Sequence, residues 1–155
     1  MPALFYRGRF FIALLVALIL LSSSCKKLRA AMGDENALRD YFDSEIINRT
    51  FIVELATDSS TDITSRYAGY KFILSRTSSY IDGPMIGFNT TDTIRGTWTS
   101  SSDYGFLTIA LNQPNVPSSF VFINRKWRFV RKDVPLMQLA PYGTTDPKVL
   151  NMRRL

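Results

Sequence analysis

Thr93-Ile94-Arg95-Gly96-Thr97-Trp98-Thr99 places Ile94, Gly96 and Trp98 on one face and Thr93, Arg95, Thr97 and Thr99 on the other. Successive side chains leave a pleated strand on opposite sides, so a period of two marks a strand with one face toward a core and one toward water. The same alternation recurs on both sides of this stretch. Upstream it runs through Phe51, Val53 and Leu55, then through Tyr70, Phe72 and Leu74, and a short strand from Met85 to Asn89 follows a break at Asp82-Gly83-Pro84. Downstream it runs through Leu107, Ile109 and Leu111, through Phe120 with Phe122 and Val121 with Ile123, and through Trp127 and Phe129. Further strands are expected near Leu136 to Leu139 and Val149 to Arg153. Polar segments rich in Ser, Thr, Asn, Asp, Gly and Pro separate these runs, as turns require. Eight or nine short strands at a spacing of about a dozen residues predict a mainly β chain folded as an antiparallel barrel or sandwich.

One segment has a different period. Asp34 suits a helix N-cap, and Leu38, Tyr41, Phe42 and Ile46 follow at spacings of three and four, which predicts one short N-terminal amphipathic helix ending near Asn48. With 46% hydrophobic, 13% aromatic and 21% charged residues in 155, the chain has the material for one packed domain and too little charge for disorder. It holds no histidine and one cysteine, which excludes an internal disulfide, a Cys/His metal site and imidazole catalysis. Glu54, Asp58, Asp62, Asp92 and Asp103 fall in separate strands and loops, and no pair has a spacing that forces an acid and a base together. A non-enzymatic role without cofactor or metal is therefore expected.

The start of the chain carries a different signal. Arg7 and Arg9 precede twelve apolar residues, Phe10 to Leu21, and then Ser22, Ser23, Ser24 and Cys25. A spanning helix needs about 20 apolar residues, so the run reads as an export signal. The order of basic start, apolar run, small residues and a lone cysteine resembles the lipobox of bacterial lipoproteins, with Ser22 where the usual pattern has Leu. The resemblance implies cleavage after Ser24 and acylation of Cys25, with palmitate-like chains that hold the protein to a membrane; each buried methylene contributes about 0.8 kcal/mol. The expected organisation is a signal peptide over 1–24, a lipidated tether over 25–33 and a β-barrel domain over 34–155. Lys26 follows the cysteine where an inner-membrane retention signal would have Asp, so the expected place is the outer membrane, lipid-anchored, with the domain in the periplasm.

Gly96-Thr97-Trp98, Leu107-Thr108-Ile109, Asn124-Arg125-Lys126-Trp127, Met137-Gln138-Leu139 and the ending Val149-Leu150-Asn151-Met152-Arg153-Arg154 together resemble the small lipocalin-like lipoproteins of Gram-negative bacteria, from about Ile46 to Leu155. The resemblance implies an up-and-down barrel of eight strands, each paired with its neighbour, and a helix near one end. Two functions are then open. The barrel mouth could hold a small apolar ligand lined by Tyr70, Phe72, Trp98, Phe122 and Trp127. Alternatively those rings fill the interior, and the protein is an envelope structural or interaction module that meets a partner protein through its outer face or through a loop such as Thr57 to Ser65.

Charge is unevenly spread. From Cys25 to Asp103 there are 9 basic and 11 acidic residues, whereas from Tyr104 to Leu155 there are 8 basic and 2 acidic. Arg125, Lys126 and Arg128 interleave with Trp127 and Phe129, which makes them candidates for a patch facing an anionic surface such as lipopolysaccharide; nucleic acid is not expected in that compartment.

Overall fold

The computed structural model describes residues 35–112, 114–131 and 135–155. The expected signal peptide, the Ser24–Cys25 junction, the tether and the Asp34 cap lie outside them. One helix, α1 (Glu35–Glu45), precedes nine strands: β1 (Thr50–Asp58), β2 (Thr61–Asp62), β3 (Lys71–Leu74), β4 (Asp82–Phe88), β5 (Thr93–Ser100), β6 (Phe106–Leu111), β7 (Lys126–Arg131), β8 (Leu136–Pro141) and β9 (Lys148–Arg154). Every pairing between strands is antiparallel, each strand from β3 to β8 pairs with the next, and β9 returns to β1 from Phe51↔Arg154 to Asp58↔Lys148. The result is a closed eight-stranded barrel, with the two-residue β2 added to the end of β1. Closure removes the unpaired edges that an open sheet would expose.

The alternation read from the sequence points inward as expected. Ile94, Trp98, Leu107, Ile109 and Leu111 are buried, while Thr93, Arg95, Thr97 and Thr99 are exposed. A bulge in β1 between Val53 and Leu55 shifts the pattern by one residue. Ala56, not Leu55, therefore faces the core, because an extra residue in one strand flips every side chain beyond it.

The strands define two ends. At the helix end, Phe42 of α1 stacks on Tyr104 with centroids 4.5 Å apart and lies 5.5 Å from Trp98 and 6.5 Å from Phe129. Ile46 and Ile47 are buried behind it, and Ile47 bridges to Leu74. Ion pairs of Asp43 with Arg76 and of Glu45 with Arg154 hold the helix to β9 and to the loop after β3. The helix stops at Glu45, three residues before the expected Asn48, because Asn48 takes a positive φ of 57° and donates its N–H to Leu74.

At the opposite, loop end, two single-turn 3₁₀ helices, Thr64–Tyr67 and Ser118–Phe120, fold over the barrel mouth. The second corrects the strand expected at Phe120 to Ile123. Phe120, Phe122 and Ile123 are buried and Val121 is 55% exposed, an arrangement made by a turn and not by a pleat. The expected break at Asp82-Gly83-Pro84 is also corrected, since these residues open β4. Gly83 is required there, because a Cβ would lie 2.1 Å from the Ser75 carbonyl oxygen. Pro84 pairs with Thr97 and lies opposite Ser75, just past the end of β3, where its carbonyl accepts the Ser75 N–H at 2.8 Å and the Ser75 carbonyl is satisfied by Trp98 Nε1 at 2.7 Å, so the missing N–H leaves that acceptor paired.

Asn124 does the work of a missing rung. The β6–β7 pairing runs from Phe106↔Arg128 to Thr108↔Lys126, and the chain before β7 then leaves the barrel wall. The Asn124 carboxamide turns back to Leu111, accepting its N–H at 2.8 Å and donating to its carbonyl at 2.7 Å.

Candidate functional site

The five aromatics proposed as ligand lining sit together inside the barrel or across its mouth. Phe72, Trp98 and Trp127 are 0% exposed, Phe122 is 4% exposed, and Tyr70 is half-buried against them. A side chain with no accessible surface borders no void that would admit a water molecule, so these rings are packed. Their polar atoms are also satisfied. Trp98 Nε1 donates to the Ser75 carbonyl at 2.7 Å, Trp127 Nε1 to the Ile123 carbonyl at 2.9 Å, and the Tyr70 hydroxyl to Asp92 at 3.0 Å. Burial and the Asp92 hydrogen bond both push the Tyr70 phenol up.

Four rings close the mouth. Phe120 lies 5.9 Å from Tyr67, 5.2 Å from Tyr70 and 6.4 Å from Phe72, in the edge-on and tilted geometries that aromatic quadrupoles favour. The Tyr67 hydroxyl donates to the Ser119 carbonyl at 2.8 Å, tying the two loop-end turns together. Burial pushes the Tyr67 phenol up to about 12.

The proposed basic patch is not a uniform cationic face. Arg125 lies with its guanidinium 5.4 Å from both the Phe122 and Trp127 rings, donates through Nε to the Phe122 carbonyl, and stands 3.9 Å from Asp146. Lys126 Nζ sits between two rings on the outer wall, 3.7 Å from Phe106 and 3.8 Å from Tyr142. Attraction to the ring faces holds the ammonium there. Arg128 is exposed on that wall. The patch thus divides into two side chains engaged with aromatics and one, Arg128, that is exposed.

Next to it, Lys148 Nζ bridges Asp58 at 2.7 Å and Asp146 at 2.8 Å. The hydrogen bond from Lys148 holds the Asp58 carboxyl below the usual range, with help from the nearby Arg125 and Arg66 charges, and both carboxylates raise Lys148 in return, Asp146 most strongly.

The described residues line clefts on the barrel's outside. One, of about 470 Å³, lies among Thr77, Asp82, Gly83, Pro84, Thr97 and Thr99; Trp98 belongs to its floor but is 0% exposed, so the cleft stops short of the interior. A second, of about 400 Å³, opens at the loop end between Arg66, Ser118 and Ser119. These three carry only faint signs in the sequence. Arg66 stands alone among hydroxyl residues just past the polar loop, and the only sign for Ser118 and Ser119 was their place after Pro117, which suits the start of a turn. Among the described residues no group of three Asp, Glu, His or Cys could hold a metal ion, and no helix is long and apolar enough to cross a membrane.

No protein-family model and no curated protein matches the chain. Among solved structures, the crystal structure of a DUF4847 family protein from Bacteroides vulgatus ATCC 8482 is similar to it, with a TM-score of 0.49 and 14% sequence identity over 72% of this chain and 96% of that one.

Proposed function

We propose that the protein is a non-enzymatic interaction module of the bacterial cell envelope, anchored through acyl chains on Cys25 and meeting a partner with the outside of its barrel. The observation that carries the interaction half of this reading is the filled interior: Phe72, Trp98 and Trp127 are fully buried, and aromatic side chains close both ends. A barrel that stores a ligand keeps an apolar hollow of some ~300–1,000 Å³, and these rings occupy the space where it would lie. The anchoring half rests on the basic start, the apolar run and the small residues before Cys25.

A ligand-binding reading draws on one feature. β3 meets β1 through only two paired positions, Thr50↔Ile73 and Phe51↔Phe72, and the seam beyond them is filled by Ile63 and Tyr67. A small apolar ligand would enter there by displacing Tyr67 and Phe120.

Native mass spectrometry of the protein purified from its membrane separates the two. Acylated protein without a bound small molecule is the expected result. A stoichiometric apolar ligand would overturn the interaction reading, and Cys25→Ser protein that still fractionates with the membrane after normal processing would overturn the anchor.

A further inference from the structure

At both ends of the barrel carboxylates are matched with cations. At the helix end Arg76, Arg153 and Arg154 each meet a carboxylate, on Asp43, Glu54 and Glu45. At the loop end the carboxylates are already committed. Asp58 and Asp146 are bridged by Lys148, Asp92 accepts the Tyr70 hydroxyl, and Asp62 accepts the Thr64 N–H at 2.8 Å. Arg66 is exposed and, although its charge acts on Asp58 from farther away, it forms no ion pair among the described residues. It forms one wall of the loop-end cleft, and the hydroxyl residues Ser118 and Ser119 form the other.

A guanidinium fork and two hydroxyls are donors, and what they match is a planar oxyanion. The surroundings narrow the source of that anion. Asp58, Asp62 and Asp146 belong to the same end, so a bilayer of anionic headgroups or a polyphosphate chain would be pressed against negative charge as well as positive. One carboxylate, presented at one point, avoids that cost. The cleft is open, and a free carboxylate there would keep most of its water and gain little, so affinity has to come from contacts around it. Val121, 55% exposed, stands two residues beyond Ser119, and Tyr142 and Val149, 47% and 37% exposed, belong to the β8–β9 connection and the start of β9 at the same end. Arginine and tyrosine beside exposed apolar side chains are what protein interfaces concentrate.

We propose that the cleft between Arg66, Ser118 and Ser119 receives a single aspartate or glutamate carboxylate from a segment of a partner protein, with an apolar residue of that segment resting on Val121. This rests on the interaction reading and names the partner's chemistry. The floor is pre-set: Tyr67 and Phe120 pack beneath the two walls, and the Tyr67–Ser119 hydrogen bond fixes their spacing.

The test is amide NMR of the full chain in detergent micelles, titrated with a capped synthetic peptide of glycine and leucine that carries a single glutamate. Saturable shifts at Arg66, Ser118, Ser119 and Val121 are expected. Binding should weaken about tenfold or more when glutamine replaces glutamate in the peptide, and similarly in Arg66→Gln, while Arg95→Gln, an exposed charge on the outer face of β5, leaves it unchanged. The variant's own amide spectrum reports whether the fold is kept. No saturable binding, shifts centred elsewhere, or equal affinity in Arg66→Gln overturns the proposal. So does binding of phosphatidylglycerol vesicles through these residues with no response to the peptide, which would mean a lipid surface. Cross-linking in intact cells to a protein partner at the helix end would leave the interaction reading standing while removing this site.

Discussion

Replacing Asn124 with Ala removes a side chain that acts as backbone. In the parent, Leu111 N–H and C=O are both satisfied by the Asn124 carboxamide at 2.8 and 2.7 Å. The Leu111 side chain is fully buried at the strand's end, so β6 cannot swing outward to solvate those groups without lifting Leu111 from the core. Each buried polar group left unpaired costs roughly 1–3 kcal/mol, and the site is only partly buried, so the expected total is about 2–4 kcal/mol. For a domain of this size that corresponds to a fall in melting temperature on the order of 10 °C. Urea denaturation followed by tryptophan fluorescence would show a lower midpoint with an unchanged slope. Asn124→Asp keeps the acceptor but sets a charged oxygen against the Leu111 carbonyl, and at neutral pH should be at least as destabilising as Ala. A stability for Asn124→Ala within about 0.5 kcal/mol of the parent would refute the surrogate-rung argument, because it would mean that water or a relaxed β7 replaces the amide at no cost.

Trp98→Ala should destabilise by about 3–5 kcal/mol, as emptying a fully packed indole site does, with Trp98→Phe costing less; chemical denaturation measures both. Gly96→Val would put a Cβ 2.1 Å from the Ala110 carbonyl oxygen, so the expected outcome is a loss of about 3 kcal/mol or more, or no soluble folded protein, read by the yield and melting of the purified chain. Tyr67 has a folded pKa of about 12 against 10 for the free phenol, so its contribution is complete below pH 10 and is lost as pH rises through 12. Tyr67→Phe should flatten that alkaline limb of stability, and phenolate absorbance should show one fewer late-titrating tyrosine.

The strands whose inward and outward residues differ in polarity were the most legible part. β5 is the clearest case, with threonines and Arg95 outside and Ile94 and Trp98 inside. The misread strand at Phe120 to Ile123 shows the opposite case. Four apolar residues in a row carry no period, and only three-dimensional packing against Tyr67 and Tyr70 decides that they turn. Asp82-Gly83-Pro84 was misread for a related reason. Gly and Pro mark breaks when local conformation rules, but here Gly83 answers the approach of the Ser75 carbonyl and Pro84 lies beyond the end of a neighbour strand, and neither fact is local. The candidate site was less legible still. Trp127 and Arg125 drew notice as an aromatic and basic pair, yet their meaning depends on Phe122 and Asp146. Arg66, Ser118 and Ser119 come together only because Tyr67 reaches 52 residues along the chain to Ser119.

The pairing that shuts the barrel joins its first strand to its last. Arg153 reaches Glu54 across 99 residues and Arg154 reaches Glu45 across 109. Each hairpin from β3 to β9 can form from neighbouring sequence, but the β1–β9 rungs have to close a loop of the whole domain before they return any stabilisation. A chain emerging in sequence order would therefore remain an open sheet with two sticky edges until β9 arrives. Under the export proposed above, this delay would keep the step that locks the structure out of reach of any partly delivered chain. It also makes β9 the point of greatest weakness. A chain cut short before Lys148 would lose the wall next to β1 and leave β1 and β8 with unpaired edges, ready to pair with another copy instead.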